Sequence, residues 1–244
     1  MTGEGEIEVG LPQSVCIAIP CYREVVPIEQ MTALVETVHM LRAKGVKVAI
    51  ATERGNALID LARSRLVYKF LEKTDYEKIF WLDDDVLFTP DDFERLLGWS
   101  TMYPIVAATY PVRQDPPKFF IRRATQEWDQ NEYGLFKIIG TGLGFCVVDR
   151  SVFEKMSPDT DTFIMEDEEI KQFFKIEQKD KIYFGEDIYF FKRWHEKYDG
   201  FCMLDPSINL KHVGTKAYAY KFIDYLQGLY NGISVGKPAG IERK

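Results

Sequence analysis

Three carboxylates stand in a row at Asp83, Asp84 and Asp85, directly after the apolar run Ile79-Phe80-Trp81-Leu82 and directly before Val86-Leu87-Phe88. The run is short and aromatic, and it has the length of a buried strand. A strand that leaves a core into adjoining acids is expensive, because uncompensated carboxylates beside apolar groups lose either their charge or the fold. A divalent cation with oxygen ligands is the simplest compensation. In extended chain Asp83 and Asp85 point one way and Asp84 the other, so one face presents two carboxylates. The competing reading is a solvated acidic turn, with Thr89-Pro90-Asp91-Asp92 opening a helix. The apolar residues on both sides weigh against it.

Other residues along the chain have chemistry of their own. Glu186-Asp187 follows Gly185 at the start of a helical pattern. An aspartate there can face a cleft and take a proton from a hydroxyl, or it can simply cap the helix. His212, in Lys-His-Val-Gly, offers one imidazole, and carboxylates with a single imidazole suit Mn2+ or Mg2+ better than zinc. The alternative for His212 is a structural histidine, the reading given to His39 and His195, which fall within helical patterns. The run Gly140-Thr141-Gly142-Leu143-Gly144 permits close approach to the backbone, or makes a tight structural turn. Tyr22 could stack on a base, and Glu53 could hold a ribose or a base edge. Lys211 and Lys216 flank His212 and could meet a diphosphate, or be solvated lysines.

The elements that must position these groups alternate. Ser14–Pro20 reads as a strand, the 27–44 stretch as a helix with Met31, Leu34, Val35, Val38 and Leu41 on one face, and Val46–Ala51 as a second strand. Asn56 is expected to cap a helix through Leu58, Leu61, Ala62, Leu66, Val67, Phe70 and Leu71. The acidic strand follows, then a short helix capped by Thr89 with Pro90 and Asp92, then a strand over Ile105–Tyr110. This alternation predicts an α/β fold with a mixed, mainly parallel sheet and ligands beyond the carboxyl ends of its strands, where Pro20–Glu24, Thr52–Gly55 and Asp83–Asp85 lie. Further on, Lys118–Arg123 and Tyr133–Ile139 suggest a hairpin, and Gly140–Asp149 turns from glycine-rich into a strand. Asp159–Asp180 reads as a charged mobile loop, Glu186–Tyr198 as a helix with acids first and bases later, and Phe201–Leu204 as a strand. Tyr218–Tyr230 reads as an amphipathic packing helix.

The 244 residues are 46% hydrophobic, 14% aromatic and 28% charged, with a formal net charge of -7. That is globular composition, and it excludes a global basic field for nucleic acid or anionic membrane. The four cysteines (Cys16, Cys21, Cys146 and Cys202) show no CxxC pairing and read as buried free thiols of a reducing compartment. The first ten residues are acidic and polar, unlike a signal peptide, and no apolar run approaches the ~18 residues of a membrane span. A cytoplasmic location is therefore expected. One domain is expected over 1–244, with a nucleotide-sugar-binding half over 14–112, an acceptor and catalytic half over 113–215, and a C-terminal tail helix over 216–244.

Taken together, the strand ending Ile-Pro-Cys-Tyr-Arg-Glu, the strand ending in three aspartates, the GTGLG strand with Gly-Glu-Asp at a helix start, and the late histidine resemble the GT-A-fold glycosyltransferases, particularly the broad family-2-like group. The resemblance spans about Val15 to Gly214. It implies a DxD motif at Asp83-Asp84-Asp85, with Asp83, Asp85 and His212 as metal ligands. It also implies a nucleotide-diphosphate sugar donor, UDP-sugar foremost, and Mn2+ or Mg2+. Asp187 would be the base of an inverting transfer, with Glu186 beside it. Pro20, Tyr22, Glu53, Arg63, Asp83, Asp84 and Lys216 would serve the nucleotide or its phosphates, and Gly140, Thr141 and Gly142 the sugar or acceptor. Cys21 and Arg23 depart from the family pattern, where a small residue and Asn are common. No QxxRW signature is present, which favours a single sugar transfer over polymer synthesis.

The compact chain is also similar to small phage-encoded transferases, which adds a modified nucleobase to the acceptor classes of glycan, lipid-linked glycan and protein. Lys118, Arg122, Arg123, Lys216 and Lys221 are candidates for a local phosphate-binding patch, against an acidic whole and no DNA-binding motif. Two other functions compete: a two-metal nucleotidyltransferase or phosphohydrolase, and a non-catalytic metal- and carbohydrate-binding domain. The first calls for a glycine-rich phosphate loop after the first strand, and IPCYRE has no glycine. The second would be indifferent to Asp187→Asn.

Overall fold

A computed structural model describes residues 9–214 and 216–229. In chain order the elements are β1 (Ser14–Cys21), α1 (Ile28–Ala43), β2 (Lys47–Arg54), α2 (Ile59–Lys73), β3 (Lys78–Leu82), β4 (Val86–Leu87), α3 (Pro90–Trp99), β5 (Ile105–Ala107), β6 (Ile121–Arg122), β7 (Phe136–Ile138), β8 (Gly140–Thr141) and β9 (Phe145–Asp149). There follow α4 (Arg150–Met156), β10 (Thr162–Met165), β11 (Glu168–Lys171), β12 (Glu177–Lys179), β13 (Ile182–Phe184), α5 (Glu186–Tyr198), β14 (Cys202–Leu204), β15 (Lys211–Val213), β16 (Ala217–Ala219) and α6 (Phe222–Leu229). Seven strands form the central sheet in the order β2-β1-β3-β9-β5-β14-β7. β1, β2, β3, β5 and β14 run one way while β9 and β7 run against them, so the sheet is mixed and mainly parallel.

Strict alternation along the strands builds a core on each face of the sheet. Cys16, Ala18, Ile79, Trp81, Ile105, Ala107, Cys146, Val148, Cys202 and Leu204 point to the face that holds Leu66, Val67 and Phe70 of α2, Phe153 of α4 and Phe190, Phe191 and Trp194 of α5. Val15, Ile17, Phe80, Leu82, Val106, Phe145, Val147 and Met203 point to the other, with Leu34 and Leu41 of α1 and Phe93, Leu96 and Leu97 of α3. Phe80 stacks on Phe93 at 3.7 Å on one side, and Trp81 meets Phe174 edge-on at 5.5 Å on the other. α3 begins as its sequence dictates: the Thr89 hydroxyl accepts from the Asp92 amide, and the Asp92 carboxylate accepts from the Thr89 amide. All four cysteines are buried and free. Among the described residues, no helix is long and apolar enough to cross a membrane.

Several elements differ from the sequence reading. β9 inserts antiparallel between β3 and β5, which brings the chain just before it against the exit of β3. The expected hairpin of 118–123 with 133–139 is divided: β6 pairs with β8, while β7 takes the edge of the central sheet beside β14. The 159–180 stretch, expected to be a mobile loop, contains the hairpin β10–β11 and the first strand of a second, β12–β13. Two-residue turns at Glu166-Asp167 and Asp180-Lys181, all four residues at positive φ, give these ribbons their twist. Asn56 does not cap α2; its side chain accepts from the Leu58 amide, and the helix starts one residue after that. Finally, α1 buries Gln30, Ala33, Leu34, Thr37 and Leu41, a stripe rotated from the expected one, so Met31 and Val35 face solvent. Of the tail, Ala217–Ala219 pairs with β15 as a strand, so the helix expected from Tyr218 begins only at Phe222; α6 ends at Leu229, and the expected helix's last residue, Tyr230, lies outside the described residues.

Candidate functional site

The carboxyl ends of β1, β2 and β3 open on a cleft of about 430 Å3. It is lined by Pro20, Tyr22 and Arg23 after β1, by Asn56, Ala57, Ile59 and Arg63 around the start of α2, and by Asp83, Asp84 and Asp85 after β3. Tyr110, Arg113, Leu143, Glu186, Asp187 and His212 complete the lining. The three aspartates do not continue the strand. β3 ends at Leu82, and the Val86 amide donates back to the Asp83 carbonyl at 3.3 Å, closing a tight turn. The expected alternation is lost, and all three carboxyl groups line the same cleft.

That turn is held from several directions. Gln30 of α1, 1% exposed, donates its amide to the Asp83 and Val86 carbonyls at 2.6 and 3.0 Å. The Asp83 amide donates to the Gly144 carbonyl at 3.0 Å, a contact that exists because β9 lies beside β3. The Asp83 carboxylate accepts from Arg63 Nη2 at 2.8 Å through Oδ1 and from the Tyr110 hydroxyl at 3.3 Å through Oδ2. The same Tyr110 oxygen accepts from the Gly144 amide at 3.2 Å. A Cβ at Gly144 would stand 2.4 Å from both Asp83 Oδ2 and the Tyr110 hydroxyl, so the turn closes only over glycine.

Arg63 links two parts of the site. It is 3% exposed, lies 5.3 Å over the Trp81 ring, and reaches Glu186 Oε1 at 3.4 Å as well as Asp83. Burial alone would lower its pKa, but Asp83 and Glu186 overcome that and push it up. Its Nη1 is buried with no hydrogen-bond partner, a donor left over beside the cleft. Next to Glu186, Asp187 titrates at about 6, raised by burial and then by the Glu186 charge. Asp84 is also raised, again chiefly by burial, with the charge of Asp83 adding to it. Burial keeps the Tyr110 phenol neutral, with Asp83 acting in the same direction.

Asp85 accepts from Arg113 Nη2 and faces His212 Nε2 at 3.4 Å. His212 Nδ1 lies 3.0 Å from the Pro111 carbonyl, which cannot donate, so the proton belongs on Nδ1 and a lone pair on Nε2. Burial and then Arg113 lower the pKa of this histidine and keep it neutral. A carboxylate oxygen and an imidazole lone pair facing each other are a donor set that a hard divalent cation fits. Among the described residues, no group of three or more His, Cys, Asp or Glu side chains is gathered closely enough to hold a metal. The pair therefore fits an ion that takes most of its ligands from phosphate oxygens and water, as Mg2+ commonly does.

The structure thus brings together Pro20, Tyr22, Arg63, Asp83, Asp84, Asp85, Glu186, Asp187 and His212. It places the other candidates elsewhere. Glu53 is 8% exposed and held by Arg65 at 3.0 Å and Lys69 at 2.8 Å. Lys216 pairs with Asp115 outside the cleft lining. Gly140 backs onto Phe191, where a Cβ would come within 2.7 Å, and buried Thr141 donates to the Phe120 carbonyl at 2.8 Å. Gly142 lies against the Tyr110 hydroxyl, so of the GTGLG run only Leu143 lines the cleft. Sequence reasoning missed Gln30, Tyr110 and Arg113. The last two follow β5 at its carboxyl end, so the rule that places ligands at strand exits was the signal for them.

No protein-family model matches the sequence, and no curated protein does. Among solved structures the chain is similar to A197 from STIV, with a TM-score of 0.50 and 20% identity over 82% of this chain and 86% of that one. It is also similar to GalNAc-T7 solved with UDP, GalNAc and Mn2+, at a TM-score of 0.47 and 10% identity over 84% of this chain and 44% of that one. A third is the inositol-1-phosphate CTP transferase from T. maritima, at 0.42 and 12% over 80% and 85%. What the similarity to A197 establishes for this chain is the α/β fold with its mixed, mainly parallel central sheet.

Proposed function

We propose that the protein is a GT-A-type glycosyltransferase, which moves a single sugar from a nucleotide-diphosphate donor to an acceptor hydroxyl with inversion. The observation that carries this reading is the meeting of two chemically distinct carboxylate groups in one cleft: the aspartate turn Asp83–Asp85 and Asp187 at the start of α5. Departure of a nucleoside diphosphate builds negative charge, and the aspartate turn with His212 is the place to hold a counter-charge for it. A divalent ion between Asp85 and His212, with Asp83 near, would supply Lewis-acid neutralisation of the diphosphate. The buried, unpaired Nη1 of Arg63 is a further donor for a phosphate oxygen. Asp187, with its pKa raised to about 6, is ionised at neutral pH yet basic enough to take the acceptor's proton. Pro20, Tyr22 and Asn56, which line the cleft beside the exits of β1 and β2, would take the nucleoside.

The test is a hydrolysis screen of nucleotide sugars, run with Mn2+, with Mg2+ and with EDTA, before any acceptor is identified. Slow release of nucleoside diphosphate from one donor, lost with EDTA, is expected. Cleavage of nucleoside triphosphates with every nucleotide sugar left intact would overturn the reading.

A further inference from the structure

The cleft holds two arginines against its acids, and they are built differently. Arg63 is 3% exposed, shared between Asp83 and Glu186, and covered by Trp81, so it is a permanent part of the frame. Arg113 has a side chain 40% exposed; among the described residues its salt bridge is to Asp85, and its charge also acts on Asp84 beside it. Its shaft crosses Gly214 at the end of β15: a Cβ there would stand 3.1 Å from Arg113 Cδ and 3.6 Å from the Tyr218 ring. The glycine therefore leaves the slot along which the guanidinium reaches Asp85. The carboxylate it reaches is also the one that faces the lone pair of His212.

We infer that Arg113 is an exchangeable counter-ion: it neutralises Asp85 in the cation-free cleft, leaves that carboxylate when a divalent cation takes it, and then pairs with the donor's diphosphate. This rests on the reading of the cleft as a site for a cation and a diphosphate. Asp85 is 16% exposed but its guanidinium partner is 40% exposed, so water can take up the released guanidinium as a divalent ion replaces it on the carboxylate. The guanidinium is then released beside the phosphates whose oxygens complete the ion's coordination, and its planar fork matches them. Arg113 weakens the binding of the cation alone and strengthens the binding of cation and diphosphate together. Cation and donor are thereby made to bind as a pair, a coupling free energy between two ligands of one site.

The test measures binding, without turnover, on the full chain, with Mn2+ alone and then inorganic pyrophosphate in saturating Mn2+. Arg113→Ala is expected to bind Mn2+ roughly three- to tenfold tighter than wild type, and pyrophosphate weaker by a similar factor. Arg113→Lys, which keeps the charge, should stay near wild type. Gly214→Ala, which crowds the shaft without removing the charge, should also tighten Mn2+. Equal or weaker Mn2+ binding by Arg113→Ala overturns the proposal, as does a tightening that persists when Asp85→Asn is added. Failure of wild type and every variant to bind Mn2+ overturns the cation reading of the cleft itself, a result separate from equal affinity.

Discussion

Asp187 is costly to the fold, and that cost is measurable. Its carboxyl is half-buried beside Glu186, and its pKa is raised from 3.8 to about 6. An acid with a raised folded pKa binds its proton more tightly folded than unfolded, so stability falls as pH rises from about 4 to 6 and the loss is complete above that. Asp84 is shifted the same way and adds to the trend. Asp187→Asn should therefore gain stability at pH 7, by roughly 1–3 kcal/mol, while turnover falls about 100- to 10,000-fold. For the proposed transfer by the wild-type protein, kcat/KM should rise through about pH 6 and level off above it, tracking the ionised Asp187. Thermal melts and a pH–rate profile check both, and a profile flat from pH 5 to 8 removes Asp187 from the base role. The aspartate turn was legible because three adjoining carboxylates after an apolar run demand compensation, and Asp187 only as one of two readings, since acids commonly open helices. Gln30 was not, since one polar residue on an amphipathic helix gives no sign of which carbonyls it will meet.

At the scale of elements, the antiparallel β9 decides the site. It puts the Gly144 backbone against Asp83 and leaves space there for no side chain. Gly144→Ala should drive Asp83 off Arg63 or Tyr110, losing about 1–3 kcal/mol of stability and most nucleotide binding. Tyr110→Phe should cost about as much by a different route, leaving the Gly144 amide without its acceptor. Gly98→Ala in α3 is the control: its nearest contact would be Val9 at an ordinary 3.5 Å, so a melt should show it neutral or slightly stabilised. If Gly98→Ala and Gly144→Ala unfold alike, the crowding argument is wrong. Elements with local signals were readable, as in the Thr89 cap of α3 and the charge order of α5. The place of β9 was not, because strand order in a sheet is set by long-range pairing. The β10–β11 and β12–β13 hairpins were hidden by acidic and basic residues on ribbons that face water, with no Asn-Gly to mark their turns.

Across the whole molecule, the cleft takes residues from Pro20 to His212, drawn from strand exits of the central sheet, from the starts of α2 and α5, and from β15 of a separate three-stranded sheet. Five carboxyl groups line it, Asp83, Asp84, Asp85, Glu186 and Asp187, against the guanidinium groups of Arg23, Arg63 and Arg113. Even with Asp83 paired to Arg63 and Asp85 to Arg113, the carboxyl groups outnumber the guanidinium groups, and a bound cation offsets that surplus of negative charge. Ligands that bind only the folded chain add RT ln(1 + [L]/Kd), about 2.7 kcal/mol at a hundredfold excess over Kd. For a domain of this size each kcal/mol moves the melting temperature by about 2–4 °C, so saturation should raise it by roughly 5–10 °C. Mn2+ alone has two protein side chains facing each other to bind, Asp85 and His212, and a nucleoside diphosphate alone meets the unneutralised acids. Either ligand by itself should therefore shift the melt by little, and the two together by much more than the sum. EDTA should return the melt to its starting point, and Asp85→Asn should remove the synergy while leaving the unliganded protein folded. A full shift with the nucleotide in EDTA would mean that Arg63 and Arg113 alone hold the diphosphate, and the cation would lose its place in the site.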